Sequence, residues 1–140
     1  TATAESCTGG AIAAKIVSIS GSSAYFKGGI VAYSNAIKQN ILHVDQATLE
    51  TYGAVSEETV QAMVDGVIDL LAVDVAVAIS GIAGPDGGTS EKPVGTIWIC
   101  AGNKKDKVTF LLRNGKFRDK NIEAGTMYAL DILRKFVMKL

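Results

Sequence analysis

The sequence has very few cysteines and histidines, and their scarcity excludes several kinds of site. Two of the 140 residues are cysteine and one is histidine. Cys7 and Cys100 lie far apart and belong to no CxxC pair, so we expect reduced thiols rather than a disulfide framework, a zinc site or a redox motif. Since His43 and the carboxylates show no ligand spacing, we expect no metal and no cofactor.

The chain also lacks an excess of charge of either sign and a long apolar run. It carries 14 basic and 14 acidic residues, and without a basic stripe we expect no nucleic-acid partner. The most apolar stretch, residues 70–83, contains Asp74 and is shorter than the roughly 20 residues of a membrane-spanning helix. No secretory signal is visible. We therefore expect a cytoplasmic protein with no membrane partner.

The residues that are present suit one domain. The sequence is 48% hydrophobic and 20% charged, which is enough to bury a core within a single domain covering residues 1–140. It opens directly on TATAE, a stretch typical of a strand. This opening suggests either an excised domain or a domain that lacks its N-terminal helix.

Apolar periodicity predicts an alternation of strands and helices. Strands are predicted at residues 1–5, 25–33, 73–82, 95–101 and 107–112. Helices are predicted at residues 9–19, at 36–42, behind Ser56 as far as Leu71, and at 119–140. A hairpin at residues 103–106 requires antiparallel neighbours. This order predicts an α/β fold, a three-layer α/β/α sandwich around a mixed five-stranded sheet.

Finer features of the pattern predict local contacts. Ser34 or Asn35 and, further on, Ser56 are residue types that cap helix N-termini. Gly28-Gly29 inside the second strand predicts a bulge or the close approach of another backbone. The first helix is expected to bury Ile12, Ile16 and Ile19. The last helix is expected to bury a stripe formed by Ile122, Thr126, Ala129, Leu133, Phe136 and Leu140.

Three segments follow predicted strands and mark the expected binding edge. They are residues 6–10 (SCTGG), 33–35 (YSN) and 80–88 (SGIAGPDGG). In an open α/β sheet, ligands bind at the carboxyl ends of the parallel strands. The third segment has neither a Walker A lysine nor the GxGxxG spacing. Its amides suit a phosphate or an amide group, but it also fits a purely structural loop.

The SCTGG turn has the residues of a nucleophile beside an anion-binding helix start. Backbone N–H groups at such a turn are able to hold an anion or a reacting oxyanion, and the glycines allow close approach. A hydroxyl there is well placed as a nucleophile. The alternative is that Ser6 or Thr8 only caps the helix.

A serine nucleophile needs a base, and the sequence offers two. Lys38 falls about one turn into the second helix, near the sheet, and would need a lowered pKa. His43 is the other candidate, and Tyr33 could relay or polarise a proton. The alternatives are a solvated lysine, a histidine at a helix end and a core aromatic.

Taken together, these segments resemble one family. "AESCTGG", "GSSAYFKGGIVAYSNAIK", "GAVSEETV" and "ISGIAGPDGGTSEKPVGTIWI" are similar to the C-terminal domain of the competence/damage-inducible protein CinA, which also occurs alone as nicotinamide mononucleotide amidohydrolase. The resemblance implies sheet order 2-1-3-4-5 and a homodimer. It also implies hydrolysis of a small-molecule nucleotide, nicotinamide mononucleotide, to nicotinate mononucleotide and ammonia, in pyridine nucleotide salvage.

The resemblance also implies roles for individual residues. Ser6 would be the nucleophile, Lys38 its base, and Tyr33 would help to orient the proton transfer. Cys7 would point away from Ser6, because side chains alternate along a strand, and would be buried and inert. The oxyanion donors would be the backbones of Thr8, Gly9 and Gly10, and the other substrate contacts would come from Asn35, Ser80, Gly81 and Arg118.

Three departures from the family pattern keep other functions open. The family usually has a helix before the first strand, which this sequence lacks. Arg118 follows Lys116-Phe117, where the family usually has Gly-Asp before the arginine, and Ser80 stands where threonine is common. A catalytically silent nucleotide-binding or dimerisation domain of a larger protein is therefore an alternative. A hydrolase acting on another small amide is a second alternative.

Overall fold

Five strands form one mixed sheet in a computed structural model of the chain, which describes residues 1–139. The strands are β1 (Ala2–Glu5), β2 (Gly28–Val31), β3 (Ala76–Gly81), β4 (Thr96–Gly102) and β5 (Lys107–Arg113). Their order is β2-β1-β3-β4-β5. β1 runs parallel to both β2 and β3, whereas β3–β4 and β4–β5 are antiparallel. The predicted fold class and strand order are confirmed.

Helices cover both faces of this sheet. They are α1 (Ala11–Val17), α2 (Asn35–Asn40), α3 (Gln46–Tyr52), α4 (Glu57–Leu71) and α5 (Arg118–Val137), with a 3-10 turn at Ser22–Ala24. One core contains residues of α3 and α4 with Ala2, Ala4, Ala76 and Ala78 of the sheet. The other contains residues of α1 and α5 with Val77, Ile79, Ile97 and Ile99. Two hydrophobic cores therefore separate three layers.

The caps predicted from single serines are present. The hydroxyl of Ser34 accepts the amide of Ile37 at 3.2 Å, and that of Ser56 accepts the amide of Thr59 at 3.2 Å. Each bond satisfies an N–H group that has no partner within its own helix. The helix behind Ser56 is the longest on its face of the sheet and ends at Leu71, as predicted.

The glycine pair in β2 marks the close approach of a side chain from β1, where the sequence predicted a bulge or another backbone. A Cβ atom built on Gly29 would lie 2.2 Å from the Thr3 hydroxyl oxygen of the paired strand β1. Only glycine fits there without displacement. The strand itself is shorter than the predicted residues 25–33, because residues 22–24 form a 3-10 turn and residues 25–27 lie outside the sheet.

The first helix is also shorter than predicted. It begins at Ala11, since residues 7–10 form a turn in which Gly10 has φ 104°, a left-handed conformation that favours glycine. Ile12 and Ile16 are buried as expected, but Ile19 lies beyond the helix and is 60% exposed. The predicted apolar face was therefore wrong at its last position.

Two other helices, α3 and α5, differ in how well the sequence predicted them. α3 was not predicted, because its seven residues, QATLETY, bury only Leu49 and give almost no periodic signal. In α5, Thr126, Ala129, Leu133 and Phe136 are buried as predicted, and Ile122 is half-buried. The remaining member of the predicted stripe, Leu140, lies outside the described residues.

Strand direction brings the candidate segments to one edge of the sheet. The carboxyl ends of β1, β2 and β3 share that edge because these strands are parallel. β5 runs in the same direction as β3, since two antiparallel pairings separate them. The start of α5 therefore lies at the same edge. Over residues 1–139, no helix combines the length and apolar character needed to cross a membrane.

Candidate active site

Ser6 and Lys38, which are 32 residues apart in sequence, are in direct contact. The Lys38 ammonium nitrogen lies 3.0 Å from the Ser6 hydroxyl oxygen. Lys38 is 1% exposed and Ser6 7%. The contact is therefore a nearly water-free pairing of a hydroxyl with an amine.

The position of Lys38 follows from the start of α2. The Ser34 cap fixes the helix behind β2, and Lys38 points from its first turns back toward the sheet. Its Nζ also donates to the carbonyl oxygen of Ala32 at 2.8 Å. That carbonyl was not singled out from the sequence. It holds the amine against β1 while leaving the nitrogen in contact with Ser6.

Burial makes Lys38 a weaker cation than an ordinary lysine. Loss of hydration lowers the pKa of Lys38 from 10.5 to about 8. No carboxylate within residues 1–139 forms an ion pair with it. A substantial neutral fraction is therefore present near pH 8, and neutral lysine is the form that accepts a proton.

Cys7, the residue next to Ser6, belongs to the opposite face. It packs in the core beneath α1 and α5, whereas Ala4 belongs to the core on the α4 side, as expected from alternation along a strand. Cys7 is 8% exposed, and burial raises the pKa of its thiol to about 12. Cys7 and Cys100 are both free and buried. The predicted burial of the Cys7 thiol is confirmed.

Glu5 organises the turn, and the sequence analysis gave it no role. Its carboxylate is 1% exposed and accepts the Thr8 hydroxyl at 2.6 Å and the amides of Ile12 and Ala13 at 2.9 Å each. These amides are at the start of α1, where the helix dipole stabilises negative charge. The α1 N-terminus is therefore occupied by the protein's own carboxylate, and the Thr8 hydroxyl serves that contact.

The backbone amides of the turn divide into used and free donors. The Gly9 N–H donates to the Ser6 carbonyl oxygen at 3.0 Å, so this predicted oxyanion donor is already engaged. The Thr8 and Gly10 amides donate to no acceptor among the residues that the structure describes. These two N–H groups are free for a ligand oxygen.

Arg118 connects Tyr33 to the glycine-rich loop. Its guanidinium donates to the Tyr33 hydroxyl at 3.1 Å and to the Gly84 carbonyl oxygen at 2.7 Å. One helical turn further on, Asn121 donates to the Ala83 carbonyl oxygen at 2.9 Å. The start of α5 therefore holds the loop at two successive carbonyl oxygens. The sequence could not predict the contact between Arg118 and Gly84, because it joins a side chain to a distant backbone carbonyl.

A cavity of about 230 Å³ opens between these groups. Larger cavities exist, but one lies at the opposite edge of the sheet, near Asp74, and another between α1 and α5. The cavity of about 230 Å³ lies beside Ser6, because Cys7, the next residue along the chain, lines it. Its other lining residues are Tyr33, Gly81, Ile82, Ala83, Gly84, Asp86, Gly87 and Arg118.

The other predicted site residues occupy different positions around this edge. Ser80 follows Ile79, the partner of Glu5 in β3, and is therefore the neighbour of Ser6 across the strands; it is 1% exposed. Gly81 lines the cavity. Asn35 is exposed at the start of α2, and His43 is exposed beyond its end.

Comparisons with known proteins assign the chain to a family. The model of the family described as CinA C-terminal domain matches residues 1–137. The chain belongs to the CinA C-terminal domain family. Solved structures similar to it include the competence/damage inducible protein CihA from Agrobacterium tumefaciens, with a TM-score of 0.93 and 40% identity, covering 96% of this chain and 82% of that one. The competence damage-inducible protein A (ComA) from Klebsiella pneumoniae also has a TM-score of 0.93, with 35% identity over 98% of this chain and 85% of that one.

Curated CinA relatives are of two lengths. A CinA-like protein of Thermosipho melanesiensis is 51% identical over 137 residues, which are 96% of this chain and 34% of that protein. The nicotinamide-nucleotide amidohydrolase PncC of Enterobacter agglomerans is 48% identical over 136 residues, covering 96% of this chain and 83% of that protein. The chain thus spans about a third of the CinA-like proteins and most of the amidohydrolase.

Proposed function

We propose that the chain is a nicotinamide-nucleotide amidohydrolase that releases ammonia from nicotinamide mononucleotide. The observation that carries this proposal is the buried contact between Lys38 and Ser6, 3.0 Å long and without a carboxylate partner for the lysine in the described residues. The relative named amidohydrolase supports the choice of substrate. The contact itself supports acyl transfer from an amide.

In the first step, the Ser6 hydroxyl oxygen attacks the carboxamide carbon. Neutral Lys38 takes the hydroxyl proton, while the Ala32 carbonyl holds the amine in place. The free amides of Thr8 and Gly10 are the donors for the developing oxyanion. Lys38 then gives its proton to the leaving nitrogen, the C–N bond breaks and ammonia departs. Ser6 is left as an ester of the nicotinate group.

The second step repeats the proton transfer with water. Lys38 removes a proton from a water molecule, whose oxygen attacks the ester carbon. The bond to the Ser6 oxygen breaks, the proton returns to that oxygen, and nicotinate mononucleotide leaves as a carboxylate. The new acid loses its remaining proton to solvent. One water is consumed, and one ammonia and one proton are released, so the two steps balance as amide hydrolysis.

The cavity beside Ser6, at the carboxyl ends of β1, β2 and β3, suits the rest of the nucleotide. The Arg118 guanidinium donates hydrogen bonds to two neutral oxygens, the Tyr33 hydroxyl and the Gly84 carbonyl. Because neither oxygen is charged, the positive charge of Arg118 stays available to the substrate phosphate. Tyr33 is 62% exposed at the cavity rim. Its contact with Arg118 supports a role for Tyr33 in placing the substrate in addition to the proposed help with proton transfer.

Ammonia release from nicotinamide mononucleotide by the wild type and by Ser6→Ala tests the proposal. Loss of the nucleophile is expected to lower kcat about 1,000-fold or more. Ser23→Ala is the matched control, because Ser23 is exposed in the 3-10 turn at the far edge of the sheet, and it should retain full activity. A short acid quench should also trap an ester on Ser6 in the wild type alone.

The outcomes separate the proposal from its alternatives. Equal ammonia release by the wild type and Ser6→Ala would exclude the serine mechanism. Binding of the nucleotide without any release would favour the silent nucleotide-binding domain. Release from other small amides, but not from this nucleotide, would keep the mechanism and change the substrate.

The assembly and cellular location implied by the resemblance form part of the same proposal. We expect a homodimer in the cytoplasm. Ile37 in α2 and Ile41 directly after this helix are 37% and 38% exposed, and this apolar pair supports a contact with another copy. Light scattering at micromolar concentration should give twice the chain mass, and a monomeric mass would reject the dimer.

A further inference from the structure

The cavity contains two charges that the protein leaves unneutralised. Arg118 and Asp86 are the charged residues among those that line it. Neither forms an ion pair within residues 1–139, so their charged atoms lie more than 4.0 Å apart. A cavity with a separate cation and a separate carboxylate suits a ligand that carries both signs of charge.

The Asp86 carboxylate is also not used to build its own turn. An aspartate in a turn commonly accepts backbone N–H groups nearby. Asn103 does this in the β4–β5 hairpin, where its Oδ1 accepts the amides of Lys105 at 2.8 Å and Asp106 at 2.7 Å. Asp86 accepts no such bond from any described residue. Its carboxylate is exposed and is therefore available to a ligand in the cavity.

The loop that carries Asp86 is held firmly in place. Gly84 contacts Arg118 through its carbonyl, and a Cβ atom built on Gly84 would lie 2.5 Å from a methyl group of Val94. A Cβ on Gly88 would lie 2.7 Å from the Val94 amide nitrogen. Both ends of the turn are thus packed against Val94, and Asp86 stands at a defined position in the cavity wall.

We propose that Asp86 is a specificity residue that recognises the positive charge of the pyridinium ring while Arg118 takes the phosphate. This inference rests on the proposed nucleotide substrate, which is cationic at the ring and anionic at the phosphate. The reduced nucleotide has the same carboxamide, ribose and phosphate but a neutral ring. Asp86 therefore favours the oxidised form over the reduced form.

Equilibrium binding distinguishes the two ring charges without turnover. Titration calorimetry on Ser6→Ala and on Ser6→Ala/Asp86→Asn, each with oxidised and reduced nicotinamide mononucleotide, gives four Kd values. Asp86→Asn should weaken binding of the oxidised form about 5-fold, the upper range for a partly exposed charge pair. Binding of the reduced form should not change. Raising the salt concentration should reduce the 5-fold difference.

Glu91→Gln is the matched control, because Glu91 is an exposed acid in the same loop that does not line the cavity. It should leave all Kd values unchanged. Equal weakening of both ring forms by Asp86→Asn would overturn the inference in favour of hydroxyl recognition, and no weakening of either form would also overturn it. Because binding is the readout, an inactive wild type that binds the nucleotide would reject the proposed hydrolysis alone.

Discussion

The two halves of the site are built in opposite ways. The reacting half, Ser6 and Lys38, is 7% and 1% exposed and is closed by hydrogen bonds within the protein. The recognition half presents Tyr33, 62% exposed, and the exposed Asp86 and Arg118. Burial lowers the pKa of a base, whereas exposure leaves charges free for a ligand. Chemistry and recognition therefore need different surroundings, although they meet at one sheet edge.

The largest effect is expected from Lys38→Met, which removes the base and keeps the shape of the side chain. We expect kcat to fall about 1,000-fold, within the usual contribution of a general base. Ammonia release measures the loss. Lys27→Met is a suitable control, because Lys27 is exposed at the opposite edge of the sheet. An active Lys38→Met would show that the buried half does not perform the chemistry.

The same substitution should make the protein more stable. The folded-state pKa of about 8 lies below the ordinary 10.5, so at pH 7 folding buries a charged amine. We expect Lys38→Met to raise the free energy of unfolding by about 2 kcal/mol at pH 7, after allowing for lost hydrogen bonds. Wild-type stability should rise between pH 8 and 10.5, because the unfolded chain binds more protons there, and the difference from the variant should shrink. Thermal melts over this range measure it.

The pH profile should show the next largest effect. Because the neutral form of Lys38 is the base, kcat/KM should increase with pH and level off above about pH 8. The expected change between pH 6 and pH 8 is about 50-fold, the increase in the neutral fraction of a group with a pKa of about 8. Equilibrium binding to Ser6→Ala should not follow this curve. A flat kcat/KM profile would mean that Lys38 does not titrate during turnover.

Arg118→Lys should affect recognition more than chemistry. Lysine keeps the charge but loses the planar fork that reaches both Tyr33 and Gly84. We expect KM to rise about 10-fold with a small change in kcat. Steady-state kinetics separate these two parameters. A fall in kcat with an unchanged KM would place Arg118 in the reacting half instead.

The smallest effect is expected at Cys7, the neighbour of the nucleophile. Its thiol is buried on the other face, with a pKa of about 12, and is therefore inert as a nucleophile. Cys7→Ala should change kcat by about twofold or less, and any further effect should fall on KM, because Cys7 lines the cavity. Thiol-directed alkylation of the native protein should also leave the activity intact. Rapid inactivation by such a reagent would contradict the assignment of the two faces.

The sequence predicted the sheet because its strands carry strong patterns. The buried run of β3 and the opposite orientations of Ser6 and Cys7 directly after β1 depend on neighbours along the chain. α3 and the exposure of Ile19 could not be predicted in this way. α3 buries a single leucine, and the chain leaves α1 before it reaches Ile19. Both features depend on packing between elements that are distant in sequence.

The site could be predicted only as far as its residues fall at strand ends. Ser6 and Lys38 were named from their positions behind β1 and β2, but their 3.0 Å contact depends on the pairing of these two strands and on the bond to Ala32. The Glu5 network joins a strand residue to the amides of Ile12 and Ala13 in the next helix. This spacing of seven and eight residues differs from the three-residue spacing of a capping box, so no known capping pattern predicts it. Asp86 was not singled out from the sequence, because only the structure shows that it lines the cavity.

The Glu5 network closes strand, turn and helix on themselves within residues 5–13. Its bonds need nothing from the rest of the domain beyond the paired strands that hold β1. A nucleophile is thereby attached to a segment that determines its own shape. Protein designers who want to install a reactive serine on another parallel sheet would find in these residues a short, transplantable unit that lacks only its lysine.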